Sequence, residues 1–175
     1  MRNTIALAAL LGLAGALPAA AQQAPAAQAR GGFVNAQGEA IGTATLVQTP
    51  QGVLITIEIR GVPPGEHAFH VHQTGRCEGA GGFMSAGGHY NPRGAQHGFM
   101  VQGGAHAGDM ANLFAGPDGV LKAQVLNDKV TIGDGESTLF DADGSALVLH
   151  AQADDHRSQP AGEAGGRIAC AVIER

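Results

Sequence analysis

The chain has 175 residues, with 10 Lys and Arg against 15 Asp and Glu, a formal net charge of −5. No basic run or basic amphipathic helix interrupts that balance, which argues against nucleic acid or an anionic membrane surface as a partner.

The chain opens "MRNTIALAALLGLAGALPAAAQQ". Arg2 supplies a short positive start, Ile5–Leu17 an apolar run too short to span a bilayer, and Ala19-Ala20-Ala21 a small-residue cleavage site. Residues 1–21 therefore read as a secretory signal peptide. No membrane association is expected after its removal, because no other long apolar run follows. Residues 22–28, "QQAPAAQ", read as a flexible lead-in, and residues 29–175 as one domain with its own core.

Beyond the lead-in the pattern is β. Ile41, Thr43, Thr45 and Val47 alternate along 40–47, and Val53, Ile55, Ile57 and Ile59 alternate against Leu54, Thr56, Glu58 and Arg60. "TPQG" (49–52) joins the two as a hairpin. A loop, "GVPPGE" (61–66), leads into a strand through His67–His72. Further strands are expected at 111–115, 120–125, 146–151 and 168–173, with "AGPDG" (115–119) a turn. No segment after the signal has a helical period, and 28 Gly without any Trp suit short antiparallel strands in a sandwich or barrel. Residues 73–110 and 152–167 fit no strand, and long ordered loops in a small domain are usually functional. Cys77 and Cys170 pair most simply as a disulfide in an exported protein; the alternative, two buried free thiols, is disfavoured by export.

The chemistry concentrates in histidine. In "HAFHVH" (67–72), His70 and His72 share a strand face, and His67 lies on the side of Phe69 and Val71. His-x-His alone is a weak signal, since a surface pair looks the same. The loop adds His89, His97, His106 and Asp109, three imidazoles and a carboxylate, a tetrahedral set suited to zinc. His150 ends the strand "ALVLH" and in isolation reads as a core histidine. Together, six of the eight histidines fall into one network, and an all-imidazole site with an open position suits copper. A cupredoxin fits poorly, because Cys170 has no His or Met after it.

At this point "HAFHVH", "SAGGHYNP", "HAGD", "LVLHAQADD" and "GGRIACAV" resemble, in order and character, the copper–zinc superoxide dismutases. The resemblance runs from about Gly31 to the C-terminus. Cys77 five positions after His72, and His89 twelve after Cys77, resemble the bacterial, exported branch. The resemblance implies an eight-stranded antiparallel Greek-key β-barrel, all-β, with two long functional loops. It implies one copper ion on His70, His72, His89 and His150, and one zinc ion on His89, His97, His106 and Asp109, His89 bridging both. Asp154 would link His70 and His97, Arg167 would stand beside the copper, and Cys77–Cys170 would be the structural disulfide. The implied activity is dismutation of superoxide to dioxygen and hydrogen peroxide, with Arg167 and His89 as the catalytic side chains. The implied location is the periplasm, where the enzyme would protect the cell envelope. A metal-binding module of the same fold without catalysis is the alternative, and it would have no need of Arg167. Monomer and homodimer are both left open.

The match departs from the family in its second loop, residues 151–166. Asp154, Asp155 and Glu163 stand there against Arg157 alone, and Ala161 occupies a position where many members have Thr. Steering of an anion either falls to Arg76, Arg93 or Arg157 or is weak, and each of these three more often reads as a solvated charge. His156 has no partner motif and is expected to be solvent-exposed.

Overall fold

The computed structural model describes residues 26–175; the expected signal segment lies outside them. Nine strands lie in this span: β1 (Gln28–Val34), β2 (Ala40–Thr49), β3 (Gly52–Arg60), β4 (Gly65–His67), β5 (Phe69–His72), β6 (Leu113–Ala115), β7 (Val120–Asn127), β8 (Ala146–His150) and β9 (Arg167–Val172). The only helical pieces among the described residues are two short 3₁₀ turns, Gly79–Gly81 and Met84–Ala86. None of the described helices is long and apolar enough to cross a membrane.

Seven strands form one antiparallel sheet in the order β5-β8-β9-β1-β2-β3-β7, and β4 pairs with β6. β4 runs into β5 through Ala68, and β6 runs into β7 through the turn at 116–119, where Gly116 N–H donates to Val120 O at 3.0 Å. The ends of the long sheet are thereby joined and the sheet curls into a barrel. With β4 and β5 taken as one bent strand, the count is eight.

The bend differs from the unbroken strand expected over 67–72. Ala68 donates its N–H to Gln152 O and accepts from His150 N–H, at 2.8 and 2.9 Å. The chain leaves β6 there and joins β8. β1 is a strand that the pattern missed, because Gly31 and Gly32 weaken it. Ala29, Gly31 and Phe33 nonetheless point inward, and a Cβ on Gly31 would lie 2.9 Å from Val172 O. Gln28, at the end of the expected lead-in, already pairs with Val47.

In β3 the alternation is clean: Val53, Ile55, Ile57 and Ile59 are buried. They meet Phe33, Leu46, Phe69, Leu121, Leu147 and Leu149 in the barrel interior. Each of these large side chains contributes roughly 1.5–3 kcal/mol by burial. β5 and β8 are buried along their whole length. Their inner residues, Phe69, Val71, Leu147 and Leu149, belong to the core. Ala146 and Val148 face outward but are covered by Phe83, Ala86 and the Cys77–Cys170 disulfide. His70 and His72 lie on the outward face too, beneath the two long loops.

Candidate metal centre

The outer side of β5 receives the first long loop. Val71 N–H donates to Gly108 O at 2.9 Å, and Tyr90 N–H donates to Val71 O at 2.8 Å. These contacts set His89 beside His72 and Asp109 beside His70. A Cβ on Gly108 would lie 2.2 Å from Val71 O, so only glycine permits this approach. On the other side of β5, β8 delivers His150 at its end. A register irregularity between Leu149 and His150 puts Arg167 opposite His150; bulges of this kind commonly re-aim side chains beside functional sites.

Two groups of donors result: His70, His72, His89 and His150, and His89, His97, His106 and Asp109. Within each group the ligand-type atoms lie within 4.8 Å of one another, and all seven residues are buried except the half-buried His106. The proton positions follow from the partners. His72 Nδ1–H donates to Gly87 O at 3.0 Å and His150 Nδ1–H faces Gly165 O at 3.5 Å, so each Nε2 carries a lone pair. Those two Nε2 atoms face one another at 3.3 Å. His70 Nε2–H donates to Asp154, leaving Nδ1 bare, and His89 Nδ1–H donates to Asp109, leaving Nε2 bare. His70 Nδ1 and His89 Nε2 are buried without a hydrogen-bond partner. Four lone pairs therefore converge with no proton among them, an arrangement that a cation satisfies and water-free protein does not.

The second group closes around Asp109. Its Oδ1 lies 2.8 Å from His89 Nδ1, 3.0 Å from His97 Nδ1 and 3.4 Å from His106 Nδ1. Its Oδ2 accepts the backbone N–H groups of Gly98 and His106, both at 2.9 Å. The donor set, three imidazoles and one carboxylate, fits zinc.

Protonation follows the same surroundings. Burial pushes His70, His72, His89 and His150 down, and the neighbouring imidazoles add to the effect at His89, brought to about 4, and at His150, brought to about 3. Burial alone would raise Asp109, but the adjoining His106 ring and hydrogen bonds from His89 and His97 hold its carboxyl far below the usual range. Asp154 is lowered likewise, against burial, by His70 and His97. His97 moves upward: burial opposes the charge, yet both ring nitrogens donate to carboxylates, Asp109 and Asp154.

His67 gives no ring nitrogen to either group. It is buried, with Nδ1 2.8 Å from His150 O and Nε2 2.7 Å from Pro63 O. Arg167 is half-buried and donates to Phe83 O and Gly87 O, both at 2.6 Å. The second of these carbonyls also accepts from His72. Arg76, Arg93 and Arg157 are exposed; Arg93 faces Glu136 at 4.0 Å and Arg157 leans on Met100 Sδ. His156 is not solvent-exposed as expected. It stacks on Phe99 with ring centroids 4.9 Å apart, and its Nδ1 sits 3.5 Å from Asp154 Oδ2.

Sequence reasoning passed over Asn112 and Gln159. Asn112 pairs with both backbone groups of Asp154, at 2.8 and 2.9 Å. No spacing marks such residues, because a carboxamide that grips a distant backbone looks like any polar loop residue.

A closed antiparallel barrel with two adjoining buried donor groups on its outer wall defines a protein built for a pair of metal ions. Residues 40–173 match the family described as copper/zinc superoxide dismutase (SODC). The chain is 48% identical over 143 residues to superoxide dismutase [Cu-Zn] 2 of Aquifex aeolicus (strain VF5), covering 81% of this chain and 83% of that one. It is 41% identical over 140 residues to superoxide dismutase [Cu-Zn] of Caulobacter vibrioides, with 78% and 80% covered. The crystal structure of a SOD-like protein from Bacillus subtilis superposes with a TM-score of 0.78 at 34% identity, over 81% of this chain and 95% of that one. The chain belongs to the copper/zinc superoxide dismutase family. Its activity is the dismutation of superoxide, and its cofactors are copper and zinc.

Proposed function

We propose that His70, His72, His89 and His150 hold copper, that His89, His97, His106 and Asp109 hold zinc, and that Arg167 and His89 are the catalytic side chains. The observation that carries this is His89. Its Nδ1 lies in the carboxylate-containing group and its bare Nε2 in the all-imidazole group, so one imidazole serves both. All-imidazole ligation accommodates both copper oxidation states, and the mixed set suits redox-inert zinc.

Copper, when bound, supplies a one-electron couple that takes an electron from one superoxide and gives it to a second, yielding dioxygen and hydrogen peroxide with uptake of two protons. The rest is the work of side chains. Arg167, always charged and planar, docks the anion beside His72 and His150. Carbonyls of Phe83 and Gly87 fix its guanidinium, so little reorganisation is needed when the anion arrives. His89 Nε2, the bare ring nitrogen on the all-imidazole side, would hold a proton and return it to the departing peroxide. Asp154 fixes the rings of His70 and His97.

Residues 1–21 are read as a signal peptide and 29–175 as the enzyme domain. The product of export would act in the periplasm and protect the envelope. The cysteine pair, a disulfide with Cα atoms 5.6 Å apart, supports an oxidising compartment.

Metal analysis of the mature protein, paired with a superoxide-consumption assay, tests the reading. About one copper and one zinc per chain are expected, with activity lost on copper removal and absent in a folded His70→Ala variant. Zinc alone, with no activity after copper loading, would instead identify a metal-binding module.

A further inference from the structure

The second long loop reaches the expected zinc ligand His97 from behind, through a side chain that no ligand pattern points to. Gln159 Oε1 accepts the His97 backbone N–H at 2.9 Å. Its Nε2 donates to His97 O at 2.8 Å and to Arg157 O at 3.0 Å. Both amide hydrogens and the amide oxygen are thus committed, and two of the three bonds grip the backbone of one residue. That backbone has no strand partner to hold it. The His97 ring is fully buried, with its two nitrogens on Asp109 and Asp154. A rotation of the His97 backbone would therefore displace the ring from both carboxylates.

The same seam is closed at two neighbouring points. Met100 N–H donates to His156 O at 3.0 Å, and Gly98 allows this, since a Cβ there would lie 2.2 Å from that oxygen. Gly162 passes over Asp154 and the His97 ring so closely that a Cβ would lie 1.7 Å from Asp154 Oδ1. The second loop is therefore packed onto the first directly over His97.

We propose that Gln159 is a positioning residue for zinc: its carboxamide fixes the His97 backbone and thereby slows zinc release. This rests on the reading of His97 as a zinc ligand. Groups that orient a ligand from outside the coordination sphere are commonly worth 10–100-fold in metal affinity. Gln159 is solvent-exposed at its outer side, so the lower end of that range is expected.

The test measures zinc release from the copper–zinc holoprotein into excess chelator. Gln159→Leu removes all three bonds and should release zinc roughly tenfold faster. Gln159→Glu keeps an acceptor for the His97 N–H and should recover part of the difference. Cobalt placed in the zinc site should show shifted visible bands in Gln159→Leu, which a general loosening of the fold would not produce. Gln48→Leu is the control. Gln48 is an equally committed carboxamide, bonded to Thr131, Ile132, Thr49 and Gly52, and it contacts no metal-site residue. That variant should lower the melting temperature and leave zinc release unchanged. Wild-type release and cobalt spectrum in Gln159→Leu would overturn the proposal. His97→Ala in the same assay separates the two failures. If it keeps zinc, the reading of the zinc site is wrong; if it loses zinc while Gln159→Leu does not, only the role of Gln159 is wrong.

Discussion

His70 and His97, which belong to different donor groups, share one carboxylate. Asp154 Oδ2 accepts from His70 Nε2 at 2.8 Å, and Oδ1 accepts from His97 Nε2 at 3.0 Å. Asn112 holds the Asp154 backbone from the far side. The consequence is that neither ring can turn without moving the link to the other.

Asp154→Asn should therefore weaken both metals. An amide can accept from one imidazole N–H, but it must turn its NH₂ toward the other, donor against donor. Affinities for copper and zinc should each fall by roughly 10–100-fold, measured by competition with a chelator. Loss of one metal alone would mean that the link is not shared in the way the geometry requires.

Arg167→Ala should leave metal content unchanged and lower kcat/KM. A hydrogen bond to a charged group is worth about 1.5–3 kcal/mol, which corresponds to a fall of roughly ten- to a hundredfold. Arg167→Lys should recover only part, because a point charge cannot hold both the Phe83 and Gly87 carbonyls while facing the anion. An Arg167→Ala enzyme at wild-type kcat/KM would remove this residue from the mechanism.

Added salt should lower kcat/KM only shallowly. The chain is negative overall, and of its candidate steering cations Arg93 faces the carboxylate of Glu136. Screening acts mainly on such exposed charges. The check is a series of rates across ionic strength, and a steep decline would show a steering surface not recognised among these arginines.

Acid should destabilise the metal-free protein. His70, His72, His89 and His150 bind protons less readily when folded, with burial the main cause; the ordinary value is 6.5 and His89 lies at about 4. Between those two values the unfolded chain takes up protons that the folded chain refuses, so stability falls as pH falls through this window. His97, raised by its two carboxylates, works in the opposite direction, one residue against four. Asp109 and Asp154, lowered by their histidine partners, extend the loss to still lower pH. The melting temperature of chelator-stripped protein should be lower at pH 4.5 than at pH 7.5, and equal values would contradict the assignment.

Much of this was legible in the chain because the relevant signals are periodic or chemical. The alternation of Val53, Ile55, Ile57 and Ile59 reports a half-buried strand directly. His70 and His72 share a face because a strand has period two, whatever surrounds it. Other features depend on tertiary contacts that leave no local mark. The break at Ala68 exists because β4 and β5 pair with different strands, and β1 is stabilised by neighbours rather than by its own glycine-rich residues. His156 is covered by Phe99, 57 positions earlier in the chain, and Gln159 acts on a residue 62 positions away.

The pairing of the first long loop with Val71 also bears on solubility. β5 ends the seven-stranded sheet, and Gly108 and Tyr90 occupy the hydrogen-bonding groups of Val71 that face outward. The loop that carries His89, His97, His106 and Asp109 is thus also the cover of an otherwise bare strand rim. A chain that loses order in this loop exposes an apolar rim able to template pairing with another chain. If the loop's donors hold metal as proposed, metal loading would be expected to guard this rim as well as to equip the site for chemistry.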